Sequence, residues 1–341
     1  MDQPHRITGS FFDLQHVNLW DALYWTDECR FWAEESWRAL IRDMHGIGMD
    51  TAILTGSALW GRPFFSGYED TIGVPLKMGC AHPLDACADE ADRLGMRLFF
   101  GIGMRGRVSQ VRDYAGLEPP WPDEWFRWNT AMAEALVDRY GSRPCFGGLY
   151  LSYEISFLDY QVDLYEKLMG QWLRPAVGPV PILASPGSLG DVEDSARLPS
   201  DLRRLGIDIL ACQDYGGRSN DVAQSLETVR RNLEALRLHR PVLDEAGVTL
   251  WTNCEVFSRQ MGADGRPICI PAPIERVTEQ IRLQAPEVEK VICYQYQGIM
   301  NRHTDLVNIG APGAQKLYDD YVAYLSEIGA PSPATESSVT A

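Results

Sequence analysis

The chain has no long apolar run. No stretch approaches the roughly 18–20 apolar residues that cross a bilayer as a helix, so no membrane partner is expected. The first ten residues, MDQPHRITGS, lack a basic segment followed by an apolar one, which is the pattern of an export signal. Eight cysteines are present but none is spaced as CxxC, and several fall inside strand-like runs, where cysteine behaves as a small hydrophobe. They read as reduced thiols, and the expected location is cytoplasmic. The six histidines stand apart without metal-ligand spacing, and G-x-S-x-G is absent, so neither a metal site nor a serine-hydrolase elbow is expected. Positive charge is scarce. Lys and Arg total 31 against 47 Asp and Glu, a net charge of -16. Such a surface repels phosphate backbones, which removes nucleic acid from the expected partners.

Apolar residues, by contrast, are ample. Hydrophobic residues make up 45% of 341 positions, enough for a large core, and the ten tryptophans and fourteen tyrosines serve either packing or a ring-binding cleft. Strand-like runs fall at 6–13, 50–57, 97–104, 146–154, 180–185, 207–214, 248–257 and 290–297. Helix-like runs fall between them at 27–49, 83–95, 123–140, 158–175, 199–205, 220–237, 274–285 and 312–328. In 27–49, Phe31, Trp37, Leu40, Ile41 and Met44 make one apolar face.

Eight strands, each followed by a helix, predict an α/β fold: a single (β/α)8 TIM barrel over 1–328, with long loops after strands two and three at 56–82 and 105–122. An open doubly wound sheet is the competing topology. The tail 329–341, GAPSPATESSVTA, is polar and Pro/Ser/Thr-rich and is expected to be disordered. GIGMRG (101–106) matches a dinucleotide fingerprint, but the next strand starts only near Phe146. Small residues in a barrel strand explain the glycines as well, and no cofactor is expected.

Barrel enzymes work where strands end. The fourth strand, GLYLSYE, is apolar and aromatic yet ends on Glu154. Side-chain alternation puts Leu149, Leu151 and Tyr153 toward the helices, and Tyr150, Ser152 and Glu154 inward. On the seventh strand Trp251, Asn253 and Glu255 point inward by the same rule. Two facing carboxylates suit glycoside hydrolysis, one protonating the leaving oxygen and one attacking or activating water. Glu154 is the expected general acid and Glu255 the nucleophile or base. The competing reading is a rim ion pair with arginine. Asp214, beside Gln213 at the end of strand six, is a reserve candidate for the second carboxylate, although its face is ambiguous. Tyr150, Gln213, Trp251, Asn253, Tyr296, Gln297 and Asn301 are expected to line the substrate cleft. Asp13 is read mainly as a helix-side or rim residue, and Glu245 as structural, at the opposite end of the barrel. A small-molecule carbohydrate is the expected partner, and self-association is left open.

The segments ITGSFFD, WRALIRDMHGIGMDTAIL, GLYLSYEIS, ILACQDYGG, LWTNCEVF and YQYQGIMN together resemble the motif series of the bacterial domain-of-unknown-function family DUF4434, over about residues 6–325. The resemblance implies a glycoside-hydrolase-like barrel with a carbohydrate-active site. The wider retaining glycosidase clan carries its acid/base after strand four and its nucleophile after strand seven, where Glu154 and Glu255 stand. Tyr153 occupies the place that this clan usually gives to Asn. Two other readings share the barrel: a carbohydrate lyase or isomerase, and a non-catalytic carbohydrate-binding protein.

Overall fold

The computed structural model describes residues 5–16, 18, 21–103, 123–154, 159–189, 197–263 and 265–330. The loop expected at 105–122, and residues 331–341 of the expected tail, lie outside the described residues.

Eight parallel strands close into one barrel. They are β1 (Gly9–Phe12), β2 (Thr51–Leu54), β3 (Arg97–Gly101), β4 (Phe146–Leu151), β5 (Ile182–Ala184), β6 (Ile209–Gln213), β7 (Thr249–Glu255) and β8 (Lys290–Tyr294). Each pairs with its sequence neighbour, and β8 closes the ring on β1 through Gly9 opposite Ile292. The helices between them are α1 (Glu34–Gly46), α2 (Pro83–Leu94), α3 (Asp123–Tyr140) and α4 (Asp159–Glu166, continued by a π-helical segment, Lys167–Leu173, and by Arg174–Val177). α5 (Leu198–Leu205), α6 (Val222–Ala246), α7 (Ile274–Gln284) and α8 (Ala314–Glu327) complete the set. Every strand is buried on both faces, which is why the strands read as nearly continuous apolar runs.

The barrel interior takes one side chain from each strand: Phe11, Ile53, Phe99, Tyr150, Leu183, Ala211, Trp251 and Ile292. Phe11 meets Tyr150 edge-on at 5.2 Å, and Phe99 meets Trp251 edge-on at 5.7 Å. Tyr150 and Trp251 are therefore the packed floor beneath the strand ends, and the inward alternation of β4 and β7 is the one read from the sequence.

Three local readings differ from the structure. The helix expected from 27 divides into a short turn at Thr26–Cys29 and α1. Ala33 is extended, the helix restarts with Glu34 and Glu35 in its favourable first turn, and Phe31 is left 76% exposed. The helix expected to stop at 237, ahead of Pro241, runs on to Ala246. Burial of Leu236, His239 and Leu243 against the barrel outweighs the hydrogen bond that proline removes. The last strand ends at Tyr294 and not at 297. In addition, two hairpins stand on the strand-end side: 58–59 with 62–63 after β2, and Phe257–Met261 with Pro267–Pro271 after β7.

Candidate functional site

The two glutamates reach the same end of the barrel by different routes. Glu154 lies three residues past β4, open to solvent along the cleft. Protein encloses its other sides and raises its carboxyl above the ordinary range; a hydrogen bond from Gln213 opposes this and the charge of Asp21 adds to it. Glu255, the last residue of β7, is buried. One of its carboxylate oxygens accepts from the Gly217 amide at 2.7 Å. Burial, then the charge of Asp214, pushes Glu255 up to about 7.

That amide is delivered by a built turn. Tyr215 holds a left-handed conformation, φ 59°, uncommon for a residue with a side chain and a recurrent feature of functional sites. It starts the 3-10 turn Gly216–Arg218. A Cβ at Gly217 would stand 2.5 Å from the Phe257 ring, so only glycine lets the turn come close enough to reach Glu255. Arg276 of α7, itself buried, clamps the same turn by donating to the carbonyls of Gly216, Glu255 (2.8 Å) and Phe257 (2.6 Å).

Asp214 faces the helices and not the cleft. Its carboxylate accepts from Gln280 Nε2 at 2.7 Å, Gln284 Nε2 at 2.9 Å, the Gly216 amide at 2.9 Å and the Glu255 amide at 3.2 Å. With every oxygen engaged behind the strand ends, it cannot touch a ligand in the cleft. The structure thus corrects the reserve candidacy of Asp214 as a reacting carboxylate and makes it a support for Glu255. A small cavity of about 20 Å³, room for one water, lies among Gln213, Asp214, Thr252 and Gln284. A larger groove of about 560 Å³ runs beside α3, lined by Thr71, Trp128 and Trp172 among others and by none of the expected site residues.

The expected lining separates into two groups. Gln213 is half-buried beside Glu154 and also reaches the Ser185 carbonyl at 3.4 Å. Asn253, between Trp251 and Glu255, donates to Ser185 Oγ at 3.1 Å, and its Oδ1 has no hydrogen-bond partner among the described residues. These two belong to the strand ends. Tyr296, Gln297 and Asn301 do not line the cleft. Tyr296 is fully buried in the helix layer against Tyr318, its hydroxyl accepting from the Arg302 amide. Gln297 grips the backbone of Asp13, accepting from its amide at 2.6 Å and donating to its carbonyl at 3.0 Å. Asn301 ties Gly298 to Ile309. β8 ends three residues before 297, so this polar segment has left the barrel wall and its phenol and amides turn to structural bonds.

Sequence reasoning missed Tyr294, which shares the inward parity of Ile292. Its ring touches Phe11 and Phe257, and its hydroxyl meets His16 Nε2 at 2.8 Å. Burial, then Asp13 and Asp21, raises this phenol well above its usual range, so it stays protonated. Asp13, the rim residue, is fully buried and accepts from Gln295 at 3.0 Å and Trp25 at 3.3 Å. Glu245, as read, sits away from these groups and pairs on the surface with Arg203 at 2.6 Å. The glycine fingerprint also has a packing cause: a Cβ at Gly101 would lie 2.4 Å from the Thr55 carbonyl. All eight cysteines are unpaired. No helix among the described residues is long and apolar enough to cross a membrane.

Comparison with known proteins adds a family and a fold. The family model described as "Domain of unknown function (DUF4434)" matches residues 7–304. No curated protein matches the sequence. Among solved structures, the chain is similar to a putative alpha-L-fucosidase from Bacteroides thetaiotaomicron VPI-5482, with 21% identity, 95% of this chain and 94% of that one covered, and a TM-score of 0.68. It is also similar to a family 1 β-glucosidase from Thermotoga maritima (9% identity, 96% and 98% covered, TM-score 0.52). A family 39 glycoside hydrolase from Bacteroides cellulosilyticus WH2 gives 10% identity, 90% and 60% covered, and a TM-score of 0.53. At such identities these likenesses speak for the barrel alone.

Proposed function

This chain belongs to the DUF4434 family, and we propose that it is a glycoside hydrolase acting on a small glycoside or oligosaccharide. The observation that carries the reading is the pair Glu154, three residues past β4, and Glu255, the last residue of β7, at the same end of a closed barrel whose structural relatives are glycosidases, with the charge of Arg259 acting on both. Glu154 is the general acid. It is open to the cleft, and its raised carboxyl keeps a proton available for the leaving oxygen. Glu255 is the nucleophile or the base. The Gly217 amide fixes its carboxylate, which must be ionised to attack the anomeric carbon or to draw a proton from water.

The reading requires Glu255, held near 7, to lose its proton while Glu154 keeps one, so activity rises as Glu255 ionises for as long as Glu154 stays protonated. The acid limb of the pH profile then belongs to Glu255. Under the opposite assignment the same group would produce the alkaline limb. A panel of aryl glycosides and oligosaccharides, followed by product chromatography across pH, tests the reading. Turnover that disappears in Glu154→Gln for unactivated substrates supports it. Turnover unaffected by loss of either glutamate, or none on any glycoside, ends it.

A further inference from the structure

From Arg218 and Arg259 we infer that the cleft takes a glycoside bearing an anionic group, a uronic acid carboxylate or a sugar phosphate. This inference rests on the glycosidase reading of the same cleft. Arg218 closes the 3-10 turn whose preceding residue, Gly217, binds Glu255. Its guanidinium carbon lies over the Tyr215 ring, 3.2 Å from the centroid. Stacking of this kind fixes the plane of the fork and leaves its N–H edge free for a planar anion. Arg259 projects from the hairpin after β7, directly opposite Cys269 in the antiparallel register. Paired residues share a face of a hairpin, and Cys269 on that face is buried against Asp21 at 3.5 Å. The same hairpin begins with Phe257, whose ring packs on Gly217. Both arginines are therefore tied to the structure that positions Glu255, and both act electrostatically on Glu154.

Two further facts bear on this. Both side chains are exposed, and neither has an ion-pair partner within 4.0 Å among the described residues. In a chain of net charge -16, carboxylates are abundant, and elsewhere arginines collect them: Arg143 holds Asp89 and Asp92, and Arg204 holds Asp163 and Asp201. These two guanidinium groups partly offset Glu154, Glu255 and Asp21 through space, but no carboxylate among the described residues occupies their donors at close range. For a charged sugar they offset the repulsion of an acidic protein and supply the forked donors that carboxylate and phosphate oxygens accept.

The test compares aryl glucuronide, aryl 6-phosphoglucoside and aryl glucoside on the full chain, with Arg218→Gln and Arg259→Gln. Each single variant should lower kcat/KM for an anionic substrate on the order of 10–100-fold, mainly through KM, with a much smaller effect on the glucoside. Arg218→Lys should recover only part of the loss, since it keeps the charge without the fork. Which anionic substrate responds identifies the group. Equilibrium binding of free glucuronate, glucose 6-phosphate and glucose to the unmodified protein separates the two readings. An arginine-dependent preference for an anion without turnover leaves the inference standing and removes the hydrolase. A glucoside cleaved as well as the anions, or anion binding indifferent to both arginines, overturns the inference and leaves the hydrolase intact.

Discussion

One glutamate stands just past the end of β4 and another at the end of β7, yet their surroundings differ. Around Glu154, among the described residues, stand Gln213 at hand, Asp21 and two arginines acting through space, and solvent along the cleft. Around Glu255 nearly everything is fastened. Gly217 holds the carboxylate, Arg276 clamps the backbone, and Asp214 stands behind with Gln280 and Gln284 on its oxygens. A group that must meet varied leaving oxygens benefits from room, whereas one that must stand at a fixed distance from one carbon benefits from rigid support. The difference also shows that a raised carboxyl has two sources. Both glutamates are pushed up chiefly by burial, and a nearby carboxylate adds to the push on each, Asp21 on Glu154 and Asp214 on Glu255.

The contrast can be broken at several points. Glu255→Gln carries the largest expected effect: it should abolish turnover of activated and unactivated glycosides alike, read as initial rates on both. Glu154→Gln should cost on the order of 10²–10⁴-fold on poor leaving groups, the usual size of general acid catalysis. It should cost less on an activated aryl glycoside, whose leaving group needs less protonation. Equal losses on both substrates would erase the distinction between the two residues. Asp214→Asn should move the acid limb of the pH–rate profile to lower pH, on the order of one unit, because a like charge behind Glu255 has gone. A limb that stays in place would detach that limb from Glu255.

Stability sharpens the same comparison. Glu255 binds its proton more tightly folded than unfolded, about 7 against 4.5. Its contribution is therefore complete below 4.5 and is lost as pH rises to about 7, by at most about 3 kcal/mol. Chemical denaturation of the parent should weaken across this window, and Glu255→Gln should flatten the slope. The smallest effects come from the supporting amides. Gln280→Ala strips a donor from buried Asp214 and should destabilise by about 1–3 kcal/mol. Gln213→Ala, at the open glutamate, should stay within about 0.5 kcal/mol by the same measurement.

The sequence by itself determined the number and order of the strands, and it set the inward faces of β4 and β7. Apolar runs separated by helical periods, and a strict two-residue alternation, are local properties. The places of Glu154 and Glu255 near the ends of β4 and β7 were legible for that reason, as were the inward registers of Tyr150 and Trp251, which the structure uses as packed core. Tertiary structure decided everything that depends on where an element stops or on what stands behind it. β8 ends at Tyr294, which brings Tyr294 inward and sends Tyr296, Gln297 and Asn301 into structural bonds. Asp214 looks like a cleft carboxylate in ILACQD; only the arrival of Gln280 and Gln284, some seventy residues later in the chain, shows it facing the helices. Arg218 and Arg259 are likewise two ordinary arginines in the sequence. Their place beside Glu255 comes from a turn that only a glycine allows and from a hairpin folded back over it. A strand's face follows from alternation along one segment, whereas a side chain's partners follow from the packing of segments distant in sequence, which no local pattern records.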